Sequence, residues 1–180
     1  PDGKTLAYVR GDGDLVVQTL DGENVRVLHT GWSPPSYSWS PDSRWLAFST
    51  QDNNFNSDVW LVPVDGTRAP FNLSANPRPD MSPVWSPDGK KLAFVSQRDE
   101  NGGDLWWLWL RKEDHQPIAE DRELAKDPLP DPPQEKPAKT KDEDDSEKKV
   151  TPQKKDDPEK EKLKVLIDLD GIRQRFKRGF

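Results

Sequence analysis

The sequence predicts an all-β protein that is built from a repeated unit of four antiparallel strands. The first observation is a Pro-Asp turn followed by a short apolar strand, which starts three times, 40 and 46 residues apart, at Pro1, Pro41 and Pro87. The second is an apolar pattern after each copy that opens with Asp14, Asp58 and Asp104. The third is that residues 1–110 lack the 3.6-residue apolar period of a helix. Correlated repeats of this length define a repeat architecture.

The start of each repeat predicts a tight turn. Proline presets its own φ, Asp accepts hydrogen bonds from nearby backbone, and Gly tolerates positive φ. We therefore assign a turn-capping role to three aspartates, Asp2, Asp42 and Asp88. The aspartates that open the second pattern lie at strand starts, where a carboxylate can accept backbone N–H groups.

Four short strands follow from this order of signals. The Leu-Ala-Tyr/Phe segment after each turn and the Asp-Leu/Val segment after it are both rich in strand-forming residues. Asp21-Gly22 and Asp65-Gly66 are hairpin turn signals, and residues 25–28 and 71–73 supply an outer strand. Four antiparallel strands in about 40 residues are typical of one β-propeller blade. The prediction is therefore about three four-stranded blades that form an incomplete ring.

Composition divides the chain into three parts. Residues 1–110 contain all 8 tryptophans, whereas residues 111–162 contain no aromatic residue and have 30 charged residues among 52 positions. Such a segment cannot bury enough apolar surface to offset the entropy of ordering, so we predict a disordered charged linker. Residues 163–180 become apolar again, and we predict that they start a following β domain, a second propeller.

Catalytic or metal-binding residues are not indicated. The 180 residues include no Cys and only two histidines, His29 and His115, which gives neither a triad nor a three-histidine zinc site. Asp12-Gly13-Asp14 resembles the start of a calcium loop but lacks the further ligands. We assign no catalytic, cofactor-binding or metal-binding residue. The net charge of −6 and the absence of a long apolar run argue against nucleic-acid partners and a membrane span.

The tryptophans fall into two groups. Four recur at matching repeat positions and are assigned to core packing between blades: Trp39, Trp60, Trp85 and Trp106. Trp32 and Trp45 do not recur, and tryptophan is enriched at interfaces. We therefore predict that Trp32 and Trp45 are surface-contact residues.

The repeat resembles the propeller repeats of the TolB-like and tricorn-protease-like proteins. The resemblance lies in Trp85-Ser86-Pro87-Asp88-Gly89-Lys90-Lys91-Leu92-Ala93-Phe94, followed by Asp104-Leu105-Trp106. The order of blades, charged linker and Asp168-Leu169-Asp170-Gly171-Ile172 looks like a junction in tricorn-like serine peptidases. The last five residues, 176–180, depart from the pattern of that family.

The resemblance implies a non-catalytic part of a peptide-degrading serine peptidase, which acts as scaffold and substrate-access gate. The implied partners are peptide substrates and a PDZ and peptidase region of the same chain, and a homo-oligomer is compatible with it. Two alternatives are a TolB-like interaction module without peptidase activity and the propeller of a prolyl-oligopeptidase-type enzyme. The tricorn resemblance implies a cytoplasmic location, and the TolB resemblance implies the periplasm.

Overall fold

The computed structural model describes residues 1–99, 102–115 and 163–179, and these residues form three antiparallel sheets. Sheet one contains β1 (Thr5–Arg10), β2 (Asp14–Thr19) and β3 (Val25–His29). Sheet two contains β4 (Ser36–Trp39), β5 (Trp45–Gln51), β6 (Ser57–Pro63) and β7 (Phe71–Asn72). Sheet three contains β8 (Asp80–Trp85), β9 (Lys91–Ser96), β10 (Asp104–Trp109) and β11 (Phe176–Arg178). A 3₁₀ helix spans Ile172–Arg175, and residues 112–115 have helical backbone.

The predicted all-β propeller-blade architecture is confirmed. Each sheet is an up-and-down arrangement of neighbouring strands, and the repeat alanines Ala7, Ala47 and Ala93 occupy the same register position opposite the next strand. Sheet one differs from the prediction because it has three strands rather than four. Its first strand, β1, matches β5 and β9, and the described residues contain no equivalent of β4 and β8 in this sheet.

The repeat turns form as predicted. The backbone N–H groups of Lys4, Arg44 and Lys90 donate to Oδ1 of the aspartate two residues earlier, at 3.0, 3.1 and 3.0 Å. In the second and third turns a serine hydroxyl also donates to this oxygen. The hydroxyl of Ser86 and the N–H of Lys90 hold the pKa of Asp88 below its usual range. These aspartates therefore cap turns.

The sheets stack face to face around two apolar cores. Alternation along β5 sends Leu46 and Phe48 toward sheet one and Ala47 toward sheet three. Trp85, Leu92 and Phe94 face sheet two in the second core. The tryptophans assigned to core packing lie in these two cores, with Trp85 buried and the others partly buried: Trp39, Trp60 and Trp106. Both faces of the middle sheet are therefore covered, as the blade prediction requires.

The two outer sheets leave apolar side chains uncovered within the described residues. Leu6 of sheet one is 52% exposed, and Val84 and Leu105 of sheet three are 58% and 52% exposed. Three blades cannot close a ring, since propellers use about 4–8 blades. The exposed side chains therefore agree with the predicted incomplete ring.

The structure differs from the prediction for residues 163–180. These residues were assigned to the start of a following domain, but β11 pairs with β10 and completes sheet three. Val165 and Ile172 are buried in the core between sheets two and three. We call residues 163–179 the C-terminal segment. Alternate residues of this segment, Val165, Ile167 and Leu169, pack on the core between sheets two and three, so the segment covers these two blades.

Polar bonds fix this segment to both blades. Arg173 donates from Nε to the carbonyl of Leu73 at 3.1 Å. Arg175 is only 3% exposed, and its guanidinium donates to the carbonyls of Leu110, at 2.9 Å, and Asp168. Burial lowers the pKa of Arg175, while the charges of Asp168 and Asp170 oppose that change.

The predicted linker, residues 111–162, lies outside the described residues except for positions 111–115. Within the parts of the chain that the structure describes, no helix is long and apolar enough to cross a membrane.

Candidate functional site

A cleft opens between sheets one and two, at the end of the blades opposite the Pro-Asp turns. We call it the Trp32 cleft; it has a volume of about 260 Å³. It is formed by the connection from β3 to β4 and by the loop between β5 and β6. Its lining residues are His29, Thr30, Gly31, Trp32, Thr50, Gln51, Asp52, Asn53, Asn56, Asp58 and Trp60.

The aromatic part of the cleft is continuous with the core between sheets one and two. The ring of His29 lies 5.1 Å from that of Phe48, and Phe48 stacks on Trp60 at 6.4 Å. Phe48 and Trp60 face sheet one because they occupy the same-facing positions of the paired strands β5 and β6. The cleft therefore has a rigid apolar base.

Burial lowers the pKa of His29, and the charge of Asp14 opposes that change. The ordinary imidazole pKa is 6.5, so His29 is neutral at pH 7. It therefore contributes no positive charge to the cleft at this pH.

Thr50 places a polar atom without a partner in this cleft. Thr50 is 8% exposed, and its Oγ1 has no hydrogen-bond partner within the described structure. A buried hydroxyl without a hydrogen-bond partner destabilises the folded state by about 1–3 kcal/mol, because its lost hydration is not replaced. Thr50 is therefore available to bond a ligand that enters the cleft.

Two carboxylates line the cleft, and the donors they accept from are neutral. Asp52 Oδ1 accepts the backbone N–H groups of Asn54, at 2.8 Å, and Asn56, at 3.0 Å. Asp58 accepts from neutral groups as well, and these are Asn72 Nδ2, Ser74 Oγ and the N–H of Asn76. The cleft lining, as far as the structure describes it, contains no Lys or Arg. The cleft is therefore a region of negative charge.

An exposed aromatic pair stands at the mouth of the cleft. Trp32 is 44% exposed and Phe55 is 71% exposed, and their rings meet edge to face at 5.3 Å. Phe55 has a φ of +61°, a left-handed conformation that is uncommon for a bulky residue. The hairpin stabilises it through the bond from its N–H to the carbonyl of Asp52 at 3.1 Å. The loop thus presents an apolar ring to solvent.

Only one of the two predicted surface tryptophans lies at this cleft. Trp45 is at the other end of the same sheet, where it packs against the core between sheets two and three. It lines a separate cavity of about 360 Å³ together with Val165, Ile167 and Leu169. The C-terminal segment therefore occupies the surroundings of Trp45, whereas Trp32 stays at an open surface.

The remaining candidates do not assemble into a reactive group. His115 has a pKa lowered by burial and by the nearby charges of Lys177 and Arg175. Asp14 pairs with Arg10 at 3.1 Å, and Asp104 pairs with Arg178 at 2.9 Å. Among the second-pattern aspartates, Asp58 accepts a backbone N–H, that of Asn76. The described residues contain no group of three or more His, Asp or Glu placed to hold a metal ion.

Thr50, Asp52 and Asp58 were not singled out as binding residues by the sequence analysis. The repeat contained the necessary signal, because Asp52 stands where the third repeat has Arg98, with opposite charge. A comparison of the repeats position by position would have shown this difference.

Comparison with known proteins gives matches among solved structures. No family model and no curated protein matches the chain. A putative TolB from Agrobacterium tumefaciens is 26% identical over 61% of this chain and 43% of that chain, with a TM-score of 0.49. TolB from Acinetobacter baumannii is 18% identical over 61% of this chain and 28% of that chain, with a TM-score of 0.50. The tricorn protease is 13% identical over 98% of this chain and 16% of that chain, with a TM-score of 0.61.

These structures are β-propellers, so the predicted resemblance to TolB-type and tricorn-type propellers is confirmed at the level of the fold. The chain spans less than half the length of each of the three proteins. The fold and the comparisons therefore identify these residues as β-propeller blades.

Proposed function

We propose that this chain is the non-catalytic β-propeller portion of a tricorn-like serine peptidase. In this role the blades act as a scaffold and as a gate through which peptide substrates reach a peptidase region of the same protein. The observation that carries the proposal is the extent of the likeness to the tricorn protease, which covers 98% of this chain. A share of that size includes most of the C-terminal segment, whereas the likeness to the Acinetobacter TolB covers 61% of the chain.

The packing of the C-terminal segment supports a scaffold role. In the sequence this segment follows the charged region, and its buried residues Val165 and Ile172 lie in the core between sheets two and three, which are blades two and three. The segment therefore belongs to the same body as these blades. Packing of this kind would hold a region joined to the segment at a fixed position relative to the blades.

The Trp32 cleft supports a role in substrate access. Its carboxylates, its buried hydroxyl and its exposed aromatic pair offer charge, hydrogen bonds and apolar contact at one end of the blades. These are features of a surface that contacts peptides. In this proposal the hydrolytic chemistry belongs to a peptidase region outside the 180 residues.

The test uses the complete protein that carries this chain. We expect it to hydrolyse short peptides and to be labelled by a serine-directed fluorophosphonate. Deleting blades one to three should leave the labelled serine in place and change the length of peptide that is cleaved. A complete protein that is neither labelled nor active on peptides would contradict the proposal.

A second candidate is a TolB-like interaction module without peptidase activity. The exposed pair of Trp32 and Phe55 favours it, because aromatic residues at a rigid loop are typical of protein contact surfaces. Capture of one defined partner by the complete protein, lost in Trp32→Ala and unaccompanied by peptide hydrolysis, would favour this candidate.

The two candidate functions predict different cellular compartments for this protein. A tricorn-like peptidase is expected in the cytoplasm, and a TolB-like module is expected in the periplasm. Fractionation of cells that express the complete protein distinguishes the two.

A further inference from the structure

The contact region between sheets two and three contains a cation that comes from the chain itself. The guanidinium of Arg98 lies 4.5 Å from the ring centre of Trp106, 5.6 Å from that of Phe94 and 5.0 Å from that of Phe176. Its Nε donates to Ser96 Oγ at 2.8 Å, and its Nη2 pairs with Asp80 at 2.9 Å. Aromatic faces, a hydroxyl and a carboxylate thus surround one arginine.

The equivalent residues of the second repeat line the Trp32 cleft or lie beneath it. The second and third repeats are offset by 46 residues, which places aromatic on aromatic and hydroxyl on hydroxyl. Two positions differ: an aspartate replaces the arginine, and Pro34 replaces its carboxylate partner Asp80. The equivalent pairs are Phe48 and Phe94, Thr50 and Ser96, Asp52 and Arg98, and Trp60 and Trp106.

The missing arginine leaves one hydroxyl without a partner and two carboxylates without a cation among the described residues of the Trp32 cleft. Thr50 Oγ1 has no partner, whereas its equivalent Ser96 Oγ accepts two N–H groups of Arg98. Within the described structure, Asp52 and Asp58 accept hydrogen bonds from neutral donors and pair with no cation. The cleft keeps a volume of about 260 Å³, which is room for a side-chain head group.

We propose that the Trp32 cleft binds the guanidinium or ammonium group of an arginine or lysine side chain presented by a peptide. The cationic head takes the place equivalent to that of Arg98 between sheets two and three, with Thr50 Oγ1 as acceptor and Trp60 as the aromatic face. Asp52 and Asp58 supply the opposite charge. This inference needs no peptidase and goes beyond the proposed function.

The mouth of the cleft fits the rest of such a ligand. The exposed rings of Trp32 and Phe55 can cover the apolar stem of the side chain or its neighbour in the peptide. A cation over an aromatic face contributes about 0.5–2 kcal/mol, and a charge-assisted hydrogen bond contributes about 1.5–3 kcal/mol. Together these contacts favour a basic side chain over a neutral one of equal size.

The experiment measures binding of small probes to the 180-residue chain by calorimetry at low salt. The probes are N-acetyl-arginine amide, N-acetyl-citrulline amide, which has the same shape without the charge, and alanine amide, which carries only an amino terminus. We expect the arginine probe to bind at least about tenfold more tightly than the other two. Equal binding of the arginine and citrulline probes would overturn the proposal. Tighter binding of alanine amide would assign the cleft to amino termini and overturn it as well.

Two variants locate the binding. Asp52→Asn removes the charge but keeps an Oδ1 that accepts the N–H groups of Asn54 and Asn56, so the loop is retained. We expect it to weaken the arginine probe about three- to tenfold. Asp65→Asn is the matched control, because Asp65 caps a hairpin in the same way at the other end of the sheet. Equal effects of the two variants would contradict a site at the Trp32 cleft.

Thr50→Val supplies an independent measurement, since it removes the hydroxyl while keeping the branched shape. We expect this variant to weaken the arginine probe about threefold or more without lowering stability, because Thr50 Oγ1 has no partner to lose. Unchanged affinity of Thr50→Val for the arginine probe would show that the hydroxyl does not bind the cation. This result would contradict the proposed equivalence of the site to the surroundings of Arg98.

Discussion

The backbone N–H of Val165 donates a hydrogen bond to Oδ2 of Asp42 at 2.8 Å, across 123 positions of the sequence. Asp42 belongs to the repeat turn of blade two, and the side chain of Val165 also lies against the repeat turn of blade three at Gly89. The C-terminal segment therefore contacts two neighbouring turns at once. It holds blades two and three together at the end opposite the Trp32 cleft.

The first prediction concerns this hydrogen bond. In Asp42→Asn the single amide oxygen can still accept the N–H of Arg44. The second carboxylate oxygen, which accepts the N–H of Val165, is replaced by an NH₂ group that cannot accept it. We expect a loss of about 1–2 kcal/mol in the free energy of unfolding relative to Asp88→Asn, measured by urea denaturation. Asp88 makes the same turn bonds, whereas the N–H of Val165 donates to Asp42. Equal losses in the two variants would show that the Val165 bond contributes nothing.

The second prediction uses the glycines of the repeat turns. Gly3 and Gly89 have nearly the same φ, +69° and +68°. A Cβ on Gly3 would meet nothing within 4 Å, whereas one on Gly89 would lie 2.6 Å from Cγ2 of Val165. Both alanine variants suffer from positive φ, at about 1 kcal/mol, and Gly89→Ala must also displace a stiff β-branched side chain. Thermal unfolding should show that Gly89→Ala costs about 1–3 kcal/mol more than Gly3→Ala. A similar cost for both would argue against close packing of Val165 on this turn.

The third prediction separates core from surface tryptophans. Trp85 is 8% exposed in the core between sheets two and three, and its Nε1 donates to the carbonyl of Ser38 at 3.2 Å. We expect Trp85→Ala to lower the free energy of unfolding by about 3–5 kcal/mol. Trp32→Ala, at an exposed position, should cost about 0.5–1.5 kcal/mol through its contact with Phe55. A small loss in Trp85→Ala would contradict its place between the blades.

The fourth prediction is a pH dependence that comes from His29. Its pKa in the folded state lies below the ordinary 6.5 because burial disfavours the charged imidazole. The unfolded chain therefore binds more protons below this pH, and the free energy of unfolding must fall as the pH decreases from about 6.5 toward 5. The pKa of His115 is also lowered, so both groups contribute. His29→Gln should make the decrease smaller in urea denaturation at matched pH values. An unchanged pH profile in this variant would show that His29 is not buried as a neutral group.

The blades were predictable because their signals are local and repeated. The Pro-Asp turn, the Leu-Ala-Tyr/Phe strand and the Asp-Gly hairpins lie within a few residues of each other, so a single repeat contains its own fold information. The strand Phe176–Arg178 gave no such signal. It has three residues, two of them charged, and pairs with β10 across more than 60 positions. Local sequence cannot indicate a partner at that distance, which is why residues 163–180 were assigned to another domain.

The Trp32 cleft was predictable only in part. Trp32 stood out because it does not recur in the repeats, and the structure places it at the cleft mouth. Trp45 gave the same signal, yet the C-terminal segment packs near it, which no local pattern reveals. Thr50 gives no signal in the sequence, and Asp52 differs only by its opposite charge to Arg98 at the equivalent repeat position. Their meaning appears only when the face shared by Phe48, Thr50 and Trp60 is known and compared with the face that holds Arg98.

The most direct measurement of the proposed function is the sequence of the complete reading frame that encodes these 180 residues. A propeller portion of a tricorn-like serine peptidase predicts further blades, then a PDZ domain and a peptidase region with its catalytic Ser and His in the same frame. A complete frame that contains propeller blades but no peptidase region would contradict the account. A frame that continues into an α/β-hydrolase domain with a Gly-x-Ser-x-Gly motif would contradict it equally.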